Sequence, residues 1–421
     1  MHIKRSDIEI MAPVGSYESL HAAIQGGADS VYLGLEQLNM RSRSSNNFTT
    51  DDLSRIMTIA RSNNIKVYLT LNVVIYDNEM ADMRRLVDAA KAEGVTAVIA
   101  SDMAVIEYAR QNGVEVHIST QCNVSNIAAV RFFSRYADVM VLARELNMEQ
   151  VARIHQAIVD EHITGPSGHL VRIEMFAHGA LCMAISGKCY LSLNTLGASA
   201  NRGACLQVCR RKYRVTDVET DTELVVDGKY IMSPKDLKTI YFMDKMIAAG
   251  VRVFKIEGRA RSADYVKTVC SCYDEAARTV ADGTFASLPV DYWDARLAQV
   301  FNRGFWDGYY LGQKMGEWSE KYGNLATEKK VYIGKVQNYF GKIGIGEFRI
   351  ETGELSVGDK FMVMGETTGV VEGSVEELRN DLKSVNQVRK GDVFSMPTPA
   401  KVRKNDKLYK ITDALLVNDN Q

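Results

Sequence analysis

Apolar and polar positions over the first 280 residues repeat one unit. Each unit is a short β-branched run, a polar turn, and a stretch whose apolar residues recur at spacings of three and four. Eight runs follow this rule, beginning near Ile8, Ser30, Lys66, Ala97, Glu115, Asp138, Val171 and Arg252. The stretches Tyr17–Gly26, Asp51–Asn63, Glu79–Glu93 and Met103–Asn112 read as the intervening helices, several closed by a glycine as helix ends often are. Strand and helix alternating in this way predict an α/β fold, a TIM-type (β/α)8 barrel over residues 1–284, with an open doubly wound sheet as the alternative. Residues 285–329, rich in aromatics and glycine, read as a connector packed on the barrel. From Lys330 to Thr412 the period shortens to strands and Gly-Asp or Gly-Glu turns, which predicts a small all-β barrel.

In a barrel of this kind the chemistry sits where the carboxyl ends of the strands meet the βα loops. Polar residues cluster just after the apolar runs: Asn72, Asp102, Gln121, Asn123, Arg144, Glu145, His178, Glu257 and Arg259. Of these, Glu145, His178, Glu257 and Arg259 are the candidates for catalysis, and Gln121 with Lys255 for binding substrate. A polar residue at a strand end also starts turns and caps helices, so each carries that plainer reading beside the functional one.

Four cysteines, Cys182, Cys189, Cys205 and Cys209, fall in a C-x6-C-x15-C-x3-C pattern within the segment 174–213 that follows the seventh run. The N-terminal stretch is too poor in apolar residues for a signal core, and no apolar run approaches the roughly 20 residues of a membrane span, so a cytoplasmic protein is expected. Clustered thiols in a reducing compartment point to a metal or redox centre rather than to disulfides, and the odd total of 7 cysteines agrees. Four thiolates suit an iron–sulfur cluster or a zinc ion. Structural zinc sites favour C-x2-C knuckles, which are absent here, so the cluster leads, zinc follows, and uncoordinated cysteines are the third reading.

Formal charge is nearly balanced at −1, so any case for nucleic acid rests on local patches. Arg202, Arg210, Arg211, Lys212 and Arg214 surround the second cysteine pair, and Arg41 and Arg43 sit after the second run. Guanidinium forks match phosphate and carboxylate alike, so an RNA backbone or a small carboxylate co-substrate fits them. A charge run is otherwise a solvated face. A second basic stretch, KVRKNDKLYK, reads either as a tRNA-docking patch or as an edge strand guarded by lysines. No HExxH or GxSxG occurs. His178 and Cys182 could form a base and nucleophile, but a cysteine that ligates a cluster cannot also attack a peptide bond.

The segment EMFAHGALCMAISGKCYLSLNTLGASANRGACLQVCRRKY resembles the signature of the collagenase-like peptidase family U32. Six further segments carry the same resemblance in order: APVGSYESLHAAIQGGADSVYLG, NMRSRSSNNF, STQCNVSN, SPKDL, KIEGRARSADYV and NRGFWDGYY. Within that family the chain resembles the branch of tRNA hydroxylation protein P, which forms 5-hydroxyuridine at the tRNA wobble position in a prephenate-dependent reaction. The resemblance implies a barrel, an iron–sulfur cluster of the 4Fe-4S kind, a C-terminal β-barrel like the second domain of translation factors, and tRNA, prephenate and a partner of the same family as interactors. It implies Cys182, Cys189, Cys205 and Cys209 as ligands. A related branch places its fourth cysteine farther along the chain, which leaves Cys270 or Cys272 as alternatives to Cys209. The readings that remain are a peptidase and a non-enzymatic RNA-binding protein with a structural metal.

Overall fold

Parallel strands β1 (Glu9–Pro13), β2 (Ser30–Leu33), β3 (Lys66–Leu71), β4 (Ala97–Ala100), β5 (Glu115–Ile118), β6 (Val139–Val141) and β7 (Arg172–Gly179) pair in sequence order in the computed structural model. It describes residues 3–42, 47–211, 215–216, 218–220, 223–224, 233–314, 316–319 and 323–414. Arg43, Lys212 and Arg214, singled out above, lie outside these. A short hairpin, β8 (Val215–Thr216) with β9 (Glu223–Leu224), and β10 (Asp236–Lys238) precede β11 (Val251–Ile256), which is parallel to both β1 and β7 and closes an eight-stranded barrel. Helices α1 (Tyr17–Gln25), α2 (Asp52–Ser62), α3 (Met80–Ala92), α4 (Met103–Gln111), α5 (Ile127–Phe133) and α6 (Met148–Asp160) follow the first six strands. The TIM-type architecture is therefore the observed one.

The seventh connection departs from the pattern. Instead of one helix it carries the cysteine segment with the short α7 (Leu191–Leu196), the hairpin, and β10, which lies antiparallel to β7. Helix α8 (Met243–Ala248) precedes β11 and the long α9 (Ala263–Ala281) follows it. The connector contributes α10 (Asp294–Gln299) and β12 (Phe305–Trp306), which pairs with β10 and extends the barrel sheet.

Period-two alternation decides which side chains fill the barrel. Met11, Tyr32, Tyr68, Ala97, Ile99, Val139 and Val253 form a small apolar cluster inside, separate from the larger core between strands and helices. The same inward parity carries charge. Near the amino ends of the strands, Glu9 accepts hydrogen bonds from Lys66 Nζ at 2.8 Å, Tyr68 Oη at 2.6 Å and Arg172 Nη1 at 3.2 Å. Desolvation opposes the Glu9 carboxylate, but Lys66 and Arg172 outweigh it and hold the group at about 2.

From Glu328 the chain forms a second unit. Strands β13 (Glu328–Phe340), β14 (Ile345–Ile350), β15 (Glu354–Ser356), β16 (Lys360–Gly365), β17 (Gly369–Ser374), β18 (Leu378–Asn380), β19 (Lys383–Val385), β20 (Gln387–Arg389), β21 (Val393–Pro397) and β22 (Lys407–Asp413) are antiparallel around their own apolar core. This unit leans on α1 and α9. The Gln25 amide donates to Thr368 O and accepts from Val370 N, each at 2.9 Å, while Lys267 reaches Glu372 at 3.0 Å. Strand β22 pairs with both β13 and β16, so the basic stretch ends in a central strand and the guarded-edge reading is incorrect. Its Lys410 is paired with Asp359 at 2.7 Å and Arg403 donates to Thr368 Oγ1 at 2.9 Å, whereas Lys401, Lys404 and Lys407 are exposed.

The stability that Glu9 contributes is complete above its ordinary value of 4.5 and is lost as pH falls toward about 2. Glu9→Gln is therefore expected to cost about 3 kcal/mol at neutral pH and to flatten the loss of stability between those pH values. Urea denaturation across that range checks both effects.

Candidate active site and thiol cluster

A cavity of about 150 Å³ opens at the carboxyl ends of the strands. Its floor is made by inward-facing residues one step above the barrel's apolar cluster, and its rim by the cysteine segment and the loop after β2. Lys255 on β11 and Glu174 on β7 meet on the floor, Nζ donating to Oε1 at 2.7 Å with both groups buried. Lys255 Nζ also lies 4.7 Å from the Tyr32 ring centroid and 5.8 Å from that of Phe176. Behind Glu174 stands His117 of β5. Its Nδ1 is 3.7 Å from Glu174 Oε2, its Nε2 3.2 Å from the half-exposed Glu115, and its ring 4.5 Å from Tyr68.

Above the floor, Glu257 accepts from Arg41 Nη2 at 2.8 Å and from Tyr32 Oη at 3.1 Å. Burial would raise the Glu257 carboxyl, but Arg41 and Arg259 lower it below the usual range. Arg259 spans Thr70 Oγ1 at 3.1 Å and Asn39 Oδ1 at 3.0 Å, and its burial brings it down to about 10. Space for it comes from Gly34, where a Cβ would stand 2.4 Å from the Arg259 guanidinium. Gln121 is locked to Asn72, donating to its carbonyl at 2.8 Å and accepting from its amide at 3.3 Å.

Cys182, Cys205 and Cys209 line the same cavity, and Cys189 lies close enough to interact electrostatically with Cys209. Desolvation would raise the Cys182 thiol, yet Arg144 and Arg41 outweigh it and favour the thiolate. The segment leaves β7 at Gly179, whose φ of 102° and whose Cβ position, 2.3 Å from Glu257 O, admit only glycine. Among the described residues, no three His, Cys, Asp or Glu side chains close round a single ion. A tetrahedral zinc needs sulfurs about 3.8 Å apart, from a Zn–S bond of about 2.3 Å, so the thiols as placed are not a ready zinc site. In type and number they suit the donor set of an iron–sulfur cluster.

Thus Arg41, Gln121, Lys255, Glu257, Arg259 and three of the four cysteines share one cavity. Other expectations need correction. His178 faces away from the cavity: a bulge between Phe176 and His178 pairs it with Ile256, turning it outward among Tyr265, Tyr273 and Phe305. Burial, with Lys238 nearby, lowers its imidazole to about 3. Glu145 is exposed outside the cavity because the turn after β6 sends its neighbour Arg144 inward. Arg202 is a brace, bonded to Glu79 and Val74 O and stacked 3.9 Å from the Tyr76 ring centroid. Arg210 is another, donating to Leu181 O at 2.6 Å, Pro234 O at 2.8 Å and Ser233 Oγ at 2.9 Å. Arg211 is exposed and lines no part of the cavity. Cys270 and Cys272 are buried on α9 in the outer core, which removes them as a fourth ligand. Residues passed over in the sequence are Tyr32, Phe176 and Glu174. Phe176 and Glu174 share strand parity with Arg172 on β7, which was the available signal.

A closed (β/α)8 barrel with thiols and compensated charges at its carboxyl-end mouth defines a barrel protein whose site lies where such folds carry their chemistry. The chain belongs to peptidase family U32, whose family model matches residues 15–320. It is 59% identical over 405 residues to a collagenase of Porphyromonas gingivalis, covering 96% of this chain and 98% of that one. It is 32% identical over 344 residues to tRNA hydroxylation protein P1 of Bacillus subtilis, covering 79% and 77%. It is 35% identical over 324 residues to the 23S rRNA 5-hydroxycytidine synthase of Escherichia coli, covering 75% of this chain and 47% of that one.

A histidine held neutral to about 3 lowers stability as pH falls from its ordinary 6.5, because the unfolded chain binds the proton first. His178→Phe should remove about 1.4 kcal/mol per pH unit of that acid sensitivity and leave the reactivity of Cys182 toward a thiol reagent unchanged. Denaturation between pH 4 and 7 and thiol labelling check the two parts.

Proposed function

We propose that the protein is an RNA-modifying hydroxylase acting on a pyrimidine base, the wobble uridine of tRNA being the leading target, with a small carboxylate such as prephenate as co-substrate. The observation that carries the reading is the cavity itself. It sets thiols on one wall against Arg41, Arg144, Arg259 and Lys255, with Glu257 as the carboxylate in the cavity and Glu174 buried behind Lys255. Among the described residues Arg144 and Arg259 form no salt bridge with a carboxylate and are held by Ser186, Thr70 and Asn39, which suits a dianionic ligand rather than a peptide. Relatives named for hydroxylation of tRNA and rRNA support an RNA substrate.

An iron–sulfur cluster held by Cys182, Cys189, Cys205 and Cys209 would supply one-electron chemistry at the cavity wall. The chain's own residues do the rest: Arg144 and Arg259 hold the carboxylate, Gln121 and Asn72 present hydrogen bonds to the base, and Phe176 and Tyr32 exclude water. An unpaired anticodon base is the least costly one to bring out of its stack. The exposed Lys401, Lys404 and Lys407 offer phosphate contacts on the second unit.

The relative named collagenase motivates a peptidase reading. It lacks its base: His178, the nearest histidine in sequence to Cys182, points to the other side of the barrel wall. Deleting the gene and analysing tRNA nucleosides by mass spectrometry is expected to remove 5-hydroxyuridine derivatives. Arg144→Gln should raise the co-substrate requirement roughly 30-fold, about 2 kcal/mol. Unchanged nucleosides in a strain without a second family member, or gelatin cleavage lost in Cys182→Ala, would overturn the proposal.

A further inference from the structure

The cavity floor holds a group that the proposed chemistry leaves unused. Among the described residues Lys255 is the one lysine lining the cavity, 5% exposed, with its amine near the Tyr32 and Phe176 rings. Its hydrogen-bond partner Glu174 is fully buried, and Glu174 is backed in turn by His117. Glu174 Oε2 and His117 Nδ1 face each other at 3.7 Å, and neither has another hydrogen-bond partner. Nucleophile, base and a third group behind the base, in line and leading into a cavity, form the general signature of an activated side-chain nucleophile. An amine in that position reacts with carbonyl carbon.

A second orphan states what else the ligand carries. Arg144 Nε is buried without a hydrogen-bond partner although its Nη2 donates to Ser186 Oγ at 2.6 Å. Arg144 lines the cavity, and its Cζ lies 5.7 Å from the centroid of the same Phe176 ring that Lys255 flanks. A carboxylate there would satisfy Nε and bring an adjacent carbonyl toward Lys255.

We propose that Lys255 forms an imine with a 2-oxo acid bound in this cavity, with Glu174 as its proton acceptor and donor and Arg144 as the anchor for the carboxylate. The inference rests on the reading of the cavity as a carboxylate site and adds a covalent step to it. Lys255 passes one Nζ proton to Glu174 Oε1. The freed lone pair forms the C–N bond as the carbonyl π pair moves onto oxygen. A nitrogen proton reaches that oxygen to give the carbinolamine, Glu174 returns its proton to the hydroxyl, and the C–O bond breaks with loss of water. Ammonium plus ketone thus become iminium plus one water, with no net proton and no oxidant. His117 is a positioning residue here, sharing the charge on Glu174 Oε2. The groups facing it are Glu115 on its own strand, Glu174 on β7, and Tyr68 on β3, which is itself bonded to Glu9 of β1.

The test is borohydride trapping with pyruvate on the full-length protein, without RNA, followed by proteolysis and mass spectrometry. The Lys255 peptide is expected to gain one reduced pyruvyl group at least tenfold faster than exposed lysines such as Lys342. Lys255→Arg, which keeps a cation beside Glu174 but cannot form the imine, should abolish it. Glu174→Gln should slow it tenfold or more in protein that circular dichroism shows to be folded, even if its melting temperature falls, and Arg144→Gln should raise the pyruvate concentration needed. Labelling of Lys255 no faster than exposed lysines would overturn the proposal, as would trapping that survives in Lys255→Arg. Since RNA is absent, a failure to hydroxylate tRNA would leave the trapping result intact, and the two readings fail separately.

Discussion

The constraint on which this barrel depends is the pairing of charges in its interior. Inward positions of β1, β3, β5, β7 and β11 include six ionisable residues, Glu9, Lys66, His117, Arg172, Glu174 and Lys255. A buried ion deprived of its partner costs about 3–5 kcal/mol, so each member fixes the position of the next. Hydrophobic residues of similar volume would have filled the space without that demand. What the charges provide is definition: the Lys255 amine, the Glu257 carboxylate and the Arg259 guanidinium stand at set places in the cavity, supported by Tyr32, Thr70 and Asn39. Stability comes instead from the apolar layer between strands and helices.

The site is assembled at a seam. Closing the barrel between β7 and β11 brings Gly179 against Glu257 O, and from there the cysteine segment from Ala180 to Cys209 lines the mouth. Arg202 and Arg210 look like ligand-binding residues by charge, yet they fasten this excursion to Val74, Glu79, Leu181 and Pro234. Arginine forks satisfy several carbonyls at once, which a segment with little regular structure needs. Arg144, buried beside Cys182, and Arg41, which also pairs with Glu257, line the cavity instead.

Much of this was legible in the sequence, and the misreadings share a physical cause. The strands and their order followed from short apolar runs alternating with helical stretches, and the strand-end rule placed Gln121, Glu257 and Arg259 at the mouth. Parity along a strand was the part that failed. A one-residue bulge after Phe176 turns His178 outward, and a turn after Val141 exchanges Glu145 for Arg144; neither leaves a mark in composition. The same parity, applied to charged residues inside apolar runs, would have exposed Glu174, His117 and Glu9 as interior groups. Strand order in the second unit was equally invisible, because the centrality of β22 depends on partners far away in the chain.

The central claim is that the four thiols at the barrel mouth hold a redox-active cluster beside a site for an anionic ligand. It is tested most directly by metal analysis and visible absorption of protein purified without oxygen. The account predicts about four irons per chain and a broad brown absorption that Cys189→Ala abolishes. Stoichiometric zinc without iron, in protein never exposed to air, would contradict it.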